Sequence, residues 1–187
     1  MLSRITGEQL KLVAGIAQPV IALLGVASGN GLDNVHPGQY KTIVGMDINE
    51  EFLELCRQHY AYLPELELHC INLMAEKERA VNLLQYADLV IANMIVEHIH
   101  LDNFLDIAGK LTRPVVSVTI QSNPDGQMVS HSGFEASFAR IQCHAENCEE
   151  ASFTSSMRGA GYRLMDRAEY KLPNGKIFIR LDYQRSC

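Results

Sequence analysis

Along the chain, apolar positions gather into short continuous runs separated by stretches with helical spacing. Val20-Ile-Ala-Leu-Leu24 is apolar at every position, as a strand buried on both faces of a parallel sheet requires. Thr42–Met46, Ala87–Ala92 and Val115–Ile120 are further, largely apolar runs, and with the shorter Leu66-Glu-Leu-His-Cys-Ile71 they predict four more strands. Between them the spacing predicts helices. Thr6-Gly-Glu-Gln9 reads as a capping box, with Leu10, Val13, Ala14 and Ala17 on one face and an end near Gln18-Pro19. Leu32 and Val35 open a second helix, and Asn49 caps a third with Phe52, Leu53 and Cys56 turned inward. Glu76–Gln85 and Glu149–Arg158 follow, the latter closed by Gly159-Ala-Gly161. Tyr162–Tyr170 and Lys176–Tyr183 read as strands joined through Lys171-Leu-Pro-Asn-Gly175, where Asn-Gly favours a tight antiparallel reversal.

This alternation predicts an α/β fold: a Rossmann-like doubly wound sheet, mostly parallel with a C-terminal antiparallel hairpin, in a single domain over residues 1–187. The hairpin argues against a pure dinucleotide fold, which would end on another βα unit. Residues 1–18 form the N-terminal helix, which either folds over the ligand mouth or covers a sheet edge. Residues 123–144, containing the turn Asn123-Pro-Asp-Gly126, read as a lid insertion over the crevice or as an ordinary surface loop.

The first strand runs into Gly25, Ala27, Ser28, Gly29 and Gly31, small residues that permit a tight turn and leave room between backbone and ligand. Such a loop, opening a helix, is expected to present backbone N–H donors to whatever lies above it. Read as G-x-G-x-x-G from Gly29, the loop has Asn34 where the third glycine belongs; read from Gly25 it is G-x-A-x-G-x-G, which suits a different nucleoside pocket. Asp47, at the tip of the second strand and roughly twenty residues beyond the first glycine, is suited to accept both hydroxyls of a ribose.

Leu24-Gly-Val-Ala-Ser-Gly-Asn-Gly31 with Val44-Gly-Met-Asp-Ile-Asn49 resembles the class I S-adenosylmethionine-dependent methyltransferases, in particular small bacterial members with a G-x-A-[ST]-G-N-G loop. The resemblance runs from about Val20 to Ile99 and more loosely to the end of the chain. It implies S-adenosylmethionine as cofactor, held by Gly25, Ala27, Ser28, Gly29, Gly31, Asp47, Ile48, Asn72, Leu73, Asn93 and Met94. Asn72 would meet the adenine through its amide oxygen, with capping of the next turn as the alternative. Asn93 and Met94 would lie beneath the transferable methyl group, and Val96-Glu-His-Ile99 resembles the helix start that follows this strand in many small-molecule methyltransferases. Where many members carry an acid two residues before the first glycine, this chain has Leu23, so the methionine end needs backbone carbonyls or another side chain.

Methyl transfer from a sulfonium asks the protein mainly for positioning and, for a protonated acceptor, a base. Among seven histidines, His98 and His131 are the candidates, with Glu97 next; each also reads as a hydrogen-bonded structural residue. The implied function is methyl transfer to a small-molecule acceptor. The alternatives are a protein that binds S-adenosylmethionine or S-adenosylhomocysteine without catalysis, and an NAD-dependent oxidoreductase. A net charge of −6 and the reading Ala92-Asn-Met-Ile95, in place of an Asn-Pro-Pro-aromatic tetrapeptide, disfavour nucleic acid as partner. No apolar stretch reaches the ~18 residues a membrane span needs, and the N-terminus has no signal-peptide core, so a cytoplasmic location is expected. Five irregularly spaced cysteines read as free thiols; Cys143-His144 with Cys148 is too sparse for a metal site, and none is expected. A homodimer is left open.

Overall fold

The computed structural model describes residues 1–122 and 148–186. The expected lid, 123–144, and with it His131, Cys143 and His144, lies outside the described residues. The remaining elements are, in order, α1 (Leu2–Gln9), a short 3-10 turn (Leu10–Val13), β1 (Val20–Leu24), a 3-10 turn (Leu32–Asn34), β2 (Thr42–Asp47), α2 (Glu50–His59), β3 (Leu66–Cys70), α3 (Lys77–Leu84), β4 (Leu89–Asn93), α4 (Val96–Ile99), α5 (Leu101–Ala108), β5 (Val115–Ser122), α6 (Glu150–Gly159), β6 (Tyr162–Lys171) and β7 (Ile177–Arg185). Among the described residues no helix is long and apolar enough to cross a membrane.

The strands form one seven-stranded sheet in the order β3-β2-β1-β4-β5-β7-β6. The first five in this order run parallel, and β7 pairs antiparallel with both β5 and β6. The expected sheet, mostly parallel with a terminal antiparallel hairpin, is the one observed. Asn174-Gly175 makes the reversal: Gly175 sits at φ +82°, and the Asn174 side chain accepts the Lys176 N–H. The strand order reverses between β1 and β4, with β2 and β3 added on one side and β4 and β5 on the other, so a crevice opens at their carboxyl ends, where ligands bind in open α/β sheets.

Both sheet faces are covered. Ala22, Leu24, Val44, Met46, Val90 and Val118 form one face and share a core with Leu84 of α3, Phe104 of α5 and Phe153 of α6. Ile21, Leu23, Ile43, Leu89 and Ile91 form the other, against Leu53 and Cys56 of α2 and Leu10 and Val13 of the N-terminal turn. Leu23 is therefore a core residue, and its apolar character follows from that burial. The same apolar surroundings push the Cys56 thiol up to about 11.

Two expectations are corrected. No helix opens at Leu32: after Asn34 the chain is extended at Val35. Asn34 donates its side-chain N–H to Gly31 O and Ser3 O, competing with the helical ladder, and Pro37 follows at once. The N-terminal helix also starts earlier and ends sooner than the capping-box reading implies. Thr6 lies inside α1 and donates to Leu2 O, while Ala14 and Ala17 are exposed beyond the last helical turn. Asn49 does cap α2 as expected, accepting from the Glu51 and Phe52 N–H groups.

Gly29 is the tightest position in the loop after β1. At φ +110°, an added Cβ would lie 2.0 Å from Cε2 of Tyr60. Gly38, at φ +79°, has open space in the same direction. Gly29→Ala is expected to lower the unfolding free energy by about 2–4 kcal/mol and Gly38→Ala by about 1 kcal/mol, measured by urea denaturation. Equal losses would mean that backbone strain alone, and not the Tyr60 contact, constrains the loop.

Candidate functional site

The loop after β1 is stitched onto the end of β2. The N–H groups of Gly25 and Val26 both donate to Met46 O, at 2.8 and 3.0 Å. The Ala27 N–H donates to Asp47 Oδ2 and the Asn49 N–H to Asp47 Oδ1, each at 2.9 Å. Gly25, Ala27, Gly29 and Gly31 all have positive φ, Ala27 at +49° without the freedom of glycine. The Gly29 and Asn30 N–H groups turn back to Val26 O. The expectation that this loop offers its N–H donors outward is therefore corrected. Most are spent holding the loop's own contour, and its glycines admit close neighbours: an added Cβ would lie 3.0 Å from Cδ1 of Ile95 at Gly25, 2.0 Å from Cε2 of Tyr60 at Gly29 and 2.4 Å from Oγ1 of Thr6 at Gly31.

Asp47 stands at the centre of this arrangement. Each of its oxygens accepts one backbone N–H and keeps further lone-pair capacity. Ile48, next to it, is 56% exposed, a large apolar side chain left in solvent beside the crevice. After β3, Asn72 accepts the Met74 and Ala75 N–H groups through its amide oxygen, and its own N–H donates to Glu76. It thus caps the turn, and Leu73 behind it is buried in the core. On the other flank of the loop, Ser28, Gly29, Asn30, Gly31, Gln58 and Tyr60 line an open groove of about 640 Å³. The Tyr60 hydroxyl donates to Gly29 O and Asp33, and burial with Asp33 beside it raises its pKa.

The tip of β4 is occupied from an unexpected direction. Gln9, fully buried at the end of α1, exchanges two hydrogen bonds with Asn93: Gln9 Nε2 donates to Asn93 Oδ1 at 2.8 Å and Asn93 Nδ2 to Gln9 Oε1 at 2.9 Å. Asn93 also donates to Thr6 Oγ1, and Gln9 to Ser117 Oγ. Ser117 in turn donates to Asp182 Oδ1, and Asp182 lies 3.1 Å from Arg180 Nε. Arg180 donates to Glu8, Tyr170 and Asp166, while Tyr170 donates to Glu8. A polar seam thus runs from the tip of β4 under α1 to the terminal hairpin. The sequence reading missed it. Its signal was Ser117 in β5 and the pair Arg180 and Asp182 in β7, polar residues set between apolar ones.

Met94 follows at φ +58°, its N–H bonded to Thr119 O. His98 lies at the end of the short α4, with Nδ1 buried and without a hydrogen-bond partner among the described residues. Burial lowers its pKa, favouring the neutral imidazole. Glu97 Oε1 accepts the Gln121 N–H at 3.0 Å.

The structure brings Gly25, Ala27, Gly29, Gly31, Asp47, Asn93 and Met94 to the carboxyl end of the sheet around the switch point. It ties Asn72 into its own turn.

The seam yields two expectations. Gln9→Leu removes the partner of Asn93 and Ser117 at once and should cost about 1–3 kcal/mol for each orphaned group, read by denaturant unfolding. Glu8 is held below its ordinary 4.5, chiefly by the Tyr170 hydroxyl and also by Arg4 and Arg180. Its contribution is present above that ordinary value and is lost as pH falls through the depressed one. Protection factors of the α1 amides, corrected for the intrinsic pH dependence of exchange, should therefore fall on acidification below about pH 4.5, and Glu8→Gln should show low protection at neutral pH already. Unchanged protection in both would show that the apolar contacts of Ile5 and Leu10 alone hold the helix.

No family model matches the chain, and no curated protein sequence matches it. Its fold has relatives among solved structures. Magnesium protoporphyrin IX methyltransferase from Synechocystis PCC 6803, with bound S-adenosylhomocysteine, superposes with a TM-score of 0.71 at 13% identity, over 98% of this chain and 83% of that one. The methyltransferase domain of bacterial CtHen1-C gives 0.69 at 15% identity, over 99% and 98%. The [4+2]-cyclase SpnF gives 0.68 at 11% identity, over 99% and 80%. At these identities the likeness concerns the backbone, and with the strand order above it identifies the class I methyltransferase fold.

Proposed function

We propose that this chain is an S-adenosylmethionine-dependent methyltransferase acting on a small-molecule acceptor. The observation that carries the reading is Asp47: a carboxylate at the tip of β2, beside a positive-φ loop, at the switch point of a sheet whose structural neighbours include chains crystallised with S-adenosylhomocysteine or S-adenosylmethionine. When bound, the cofactor supplies an activated methyl group on a sulfonium.

The residues around Asp47 fit such a group. Its carboxylate retains lone pairs for the ribose hydroxyls. Ile48, exposed beside it, offers an apolar surface to the adenine, and the backbone from Asn72 to Leu73 borders the same space. Gly25, Ala27, Ser28, Gly29 and Gly31 keep the loop clear of side-chain bulk below the ligand. Asn93 and Met94 close the far side of the crevice, their position held by Gln9 and Thr6. His98, neutral through burial, is the proton acceptor we favour, with His131 as the second candidate.

A second reading, cofactor binding without methyl transfer, draws support from the Asn93 side chain. Both of its polar atoms are engaged by α1, so it is not free to orient a substrate unless α1 shifts.

The test begins with Asp47→Asn, which keeps one acceptor for the loop; Asp47→Ala would remove the loop's anchor along with the sugar's. Asp47→Asn is expected to weaken S-adenosylhomocysteine binding about tenfold or more by calorimetry, with the unfolding midpoint little changed. Undiminished affinity would overturn the ribose assignment. Methyl release from S-adenosylmethionine over an acceptor panel then separates the enzyme from the binding protein.

A further inference from the structure

A second cavity, of about 230 Å³, lies between the starts of α4, α5 and α6. Val96, Leu101 and Phe153 supply its apolar wall, and Glu97, Glu149 and Ser152 its polar one. No Lys or Arg is among the described residues that line it. Glu97 is 6% exposed. Its Oε1 accepts the Gln121 N–H, whereas its Oε2 is buried and has no hydrogen-bond partner among the described residues.

A buried carboxylate oxygen without a donor is costly; Asp182 Oδ2 is another, but the Arg180 guanidinium stands 3.1 Å from it, whereas the described residues lining this cavity supply no cation. Glu97 Oε2 is a vacancy for a ligand's N–H. The sign of the surroundings says which kind. Glu149 disfavours a carboxylate or phosphate, Glu97 gains its charge when a cation stands beside it, and the apolar wall takes a hydrocarbon body. The volume falls below the ~300–1,000 Å³ of drug-sized sites, so the occupant is small. Glu97 stands four residues beyond Asn93, on the helix that leaves the tip of β4.

We propose that this cavity is the acceptor subsite of the methyltransferase and that Glu97 Oε2 binds the ammonium group of a small aliphatic amine, whose proton the same carboxylate, rather than His98, takes up before the nitrogen lone pair can accept a methyl group. The assignment rests on the function proposed above for its connection to methyl transfer, and on the cavity alone for its selectivity. Burial raises the Glu97 pKa, and a bound cation would restore the charged form.

Calorimetric titration of the full chain with n-butylammonium chloride, n-butanol and sodium butyrate tests this, with S-adenosylhomocysteine titrated separately. Butylammonium should bind saturably and butyrate should not. Glu97→Gln, which keeps an oxygen for the Gln121 N–H, should weaken butylammonium about tenfold or more while S-adenosylhomocysteine binds as before. Ser152→Phe, at an exposed position on the cavity's rim, should do the same without touching the Glu97 bond. The proposal is overturned if butylammonium does not bind, if both variants bind it as tightly as the parent chain, or if butyrate competes equally. Glu97-dependent amine binding in a chain that does not take S-adenosylhomocysteine would uphold the subsite and sink the methyltransferase reading.

Discussion

The Asp47 carboxylate, shared between two backbone N–H groups from different segments, sets the geometry on which the crevice depends. One oxygen fixes Ala27 in the loop after β1, and the other fixes Asn49 at the start of α2. Through Ala27, the carboxylate holds a non-glycine residue at positive φ, a conformation that persists only when its surroundings over-determine it. The loop's remaining donors turn inward to Met46 and Val26. A chain that spends its N–H groups on its own contour leaves recognition to the carboxylate and to shape. In the reading proposed here, the same side chain would shape the pocket and hold the sugar.

The polar seam under α1 works differently. Gln9, Asn93, Ser117, Asp182 and Arg180 form a connected set, in which Asp182 Oδ2 and Arg180 Nε face each other at 3.1 Å as an ion pair without a hydrogen bond, and such networks specify geometry more than they stabilise. An apolar contact would let α1 slide; the amide pair between Gln9 and Asn93 admits one register. The N-terminal segment thereby meets the tip of β4 as well as the terminal hairpin, where Ile5 and Glu8 contact Tyr170 of the edge strand β6. Exposed ion pairs elsewhere, such as Arg57 with Glu54, contribute far less, because water screens them.

Much of this molecule was legible in its sequence because the signals involved are local. Largely apolar runs marked β1, β2, β4 and β5, since a strand covered on both faces has little polar side to show, whereas β3 carries Glu67 and His69 and is only partly buried. Asn174-Gly175 announced the hairpin, Asn49 its helix cap, and the small residues from Gly25 to Gly31 a turn without bulk. Asp47 was visible as an acid closing an apolar run. Each of these depends on residues within a few positions of one another.

Pairings between distant segments were decided only by the tertiary structure. Thr6 and Gln9 looked like two halves of a capping box and instead reach across to Asn93 and Ser117. The helix expected at Leu32 is reduced to one turn, because the Asn34 side chain bonds to Ser3 as well as to Gly31. Asn72 could read as ligand or cap; here its amide oxygen bonds to Met74 and Ala75. Leu23 stood out as a missing acid until the sheet showed it facing α2 and the N-terminal turn. Hydrophobic periodicity reports which face of an element is buried and says nothing about which remote polar group will meet it there. That partner exists only once the chain has closed, so the elements belong to the sequence and the wiring of the crevice to the fold.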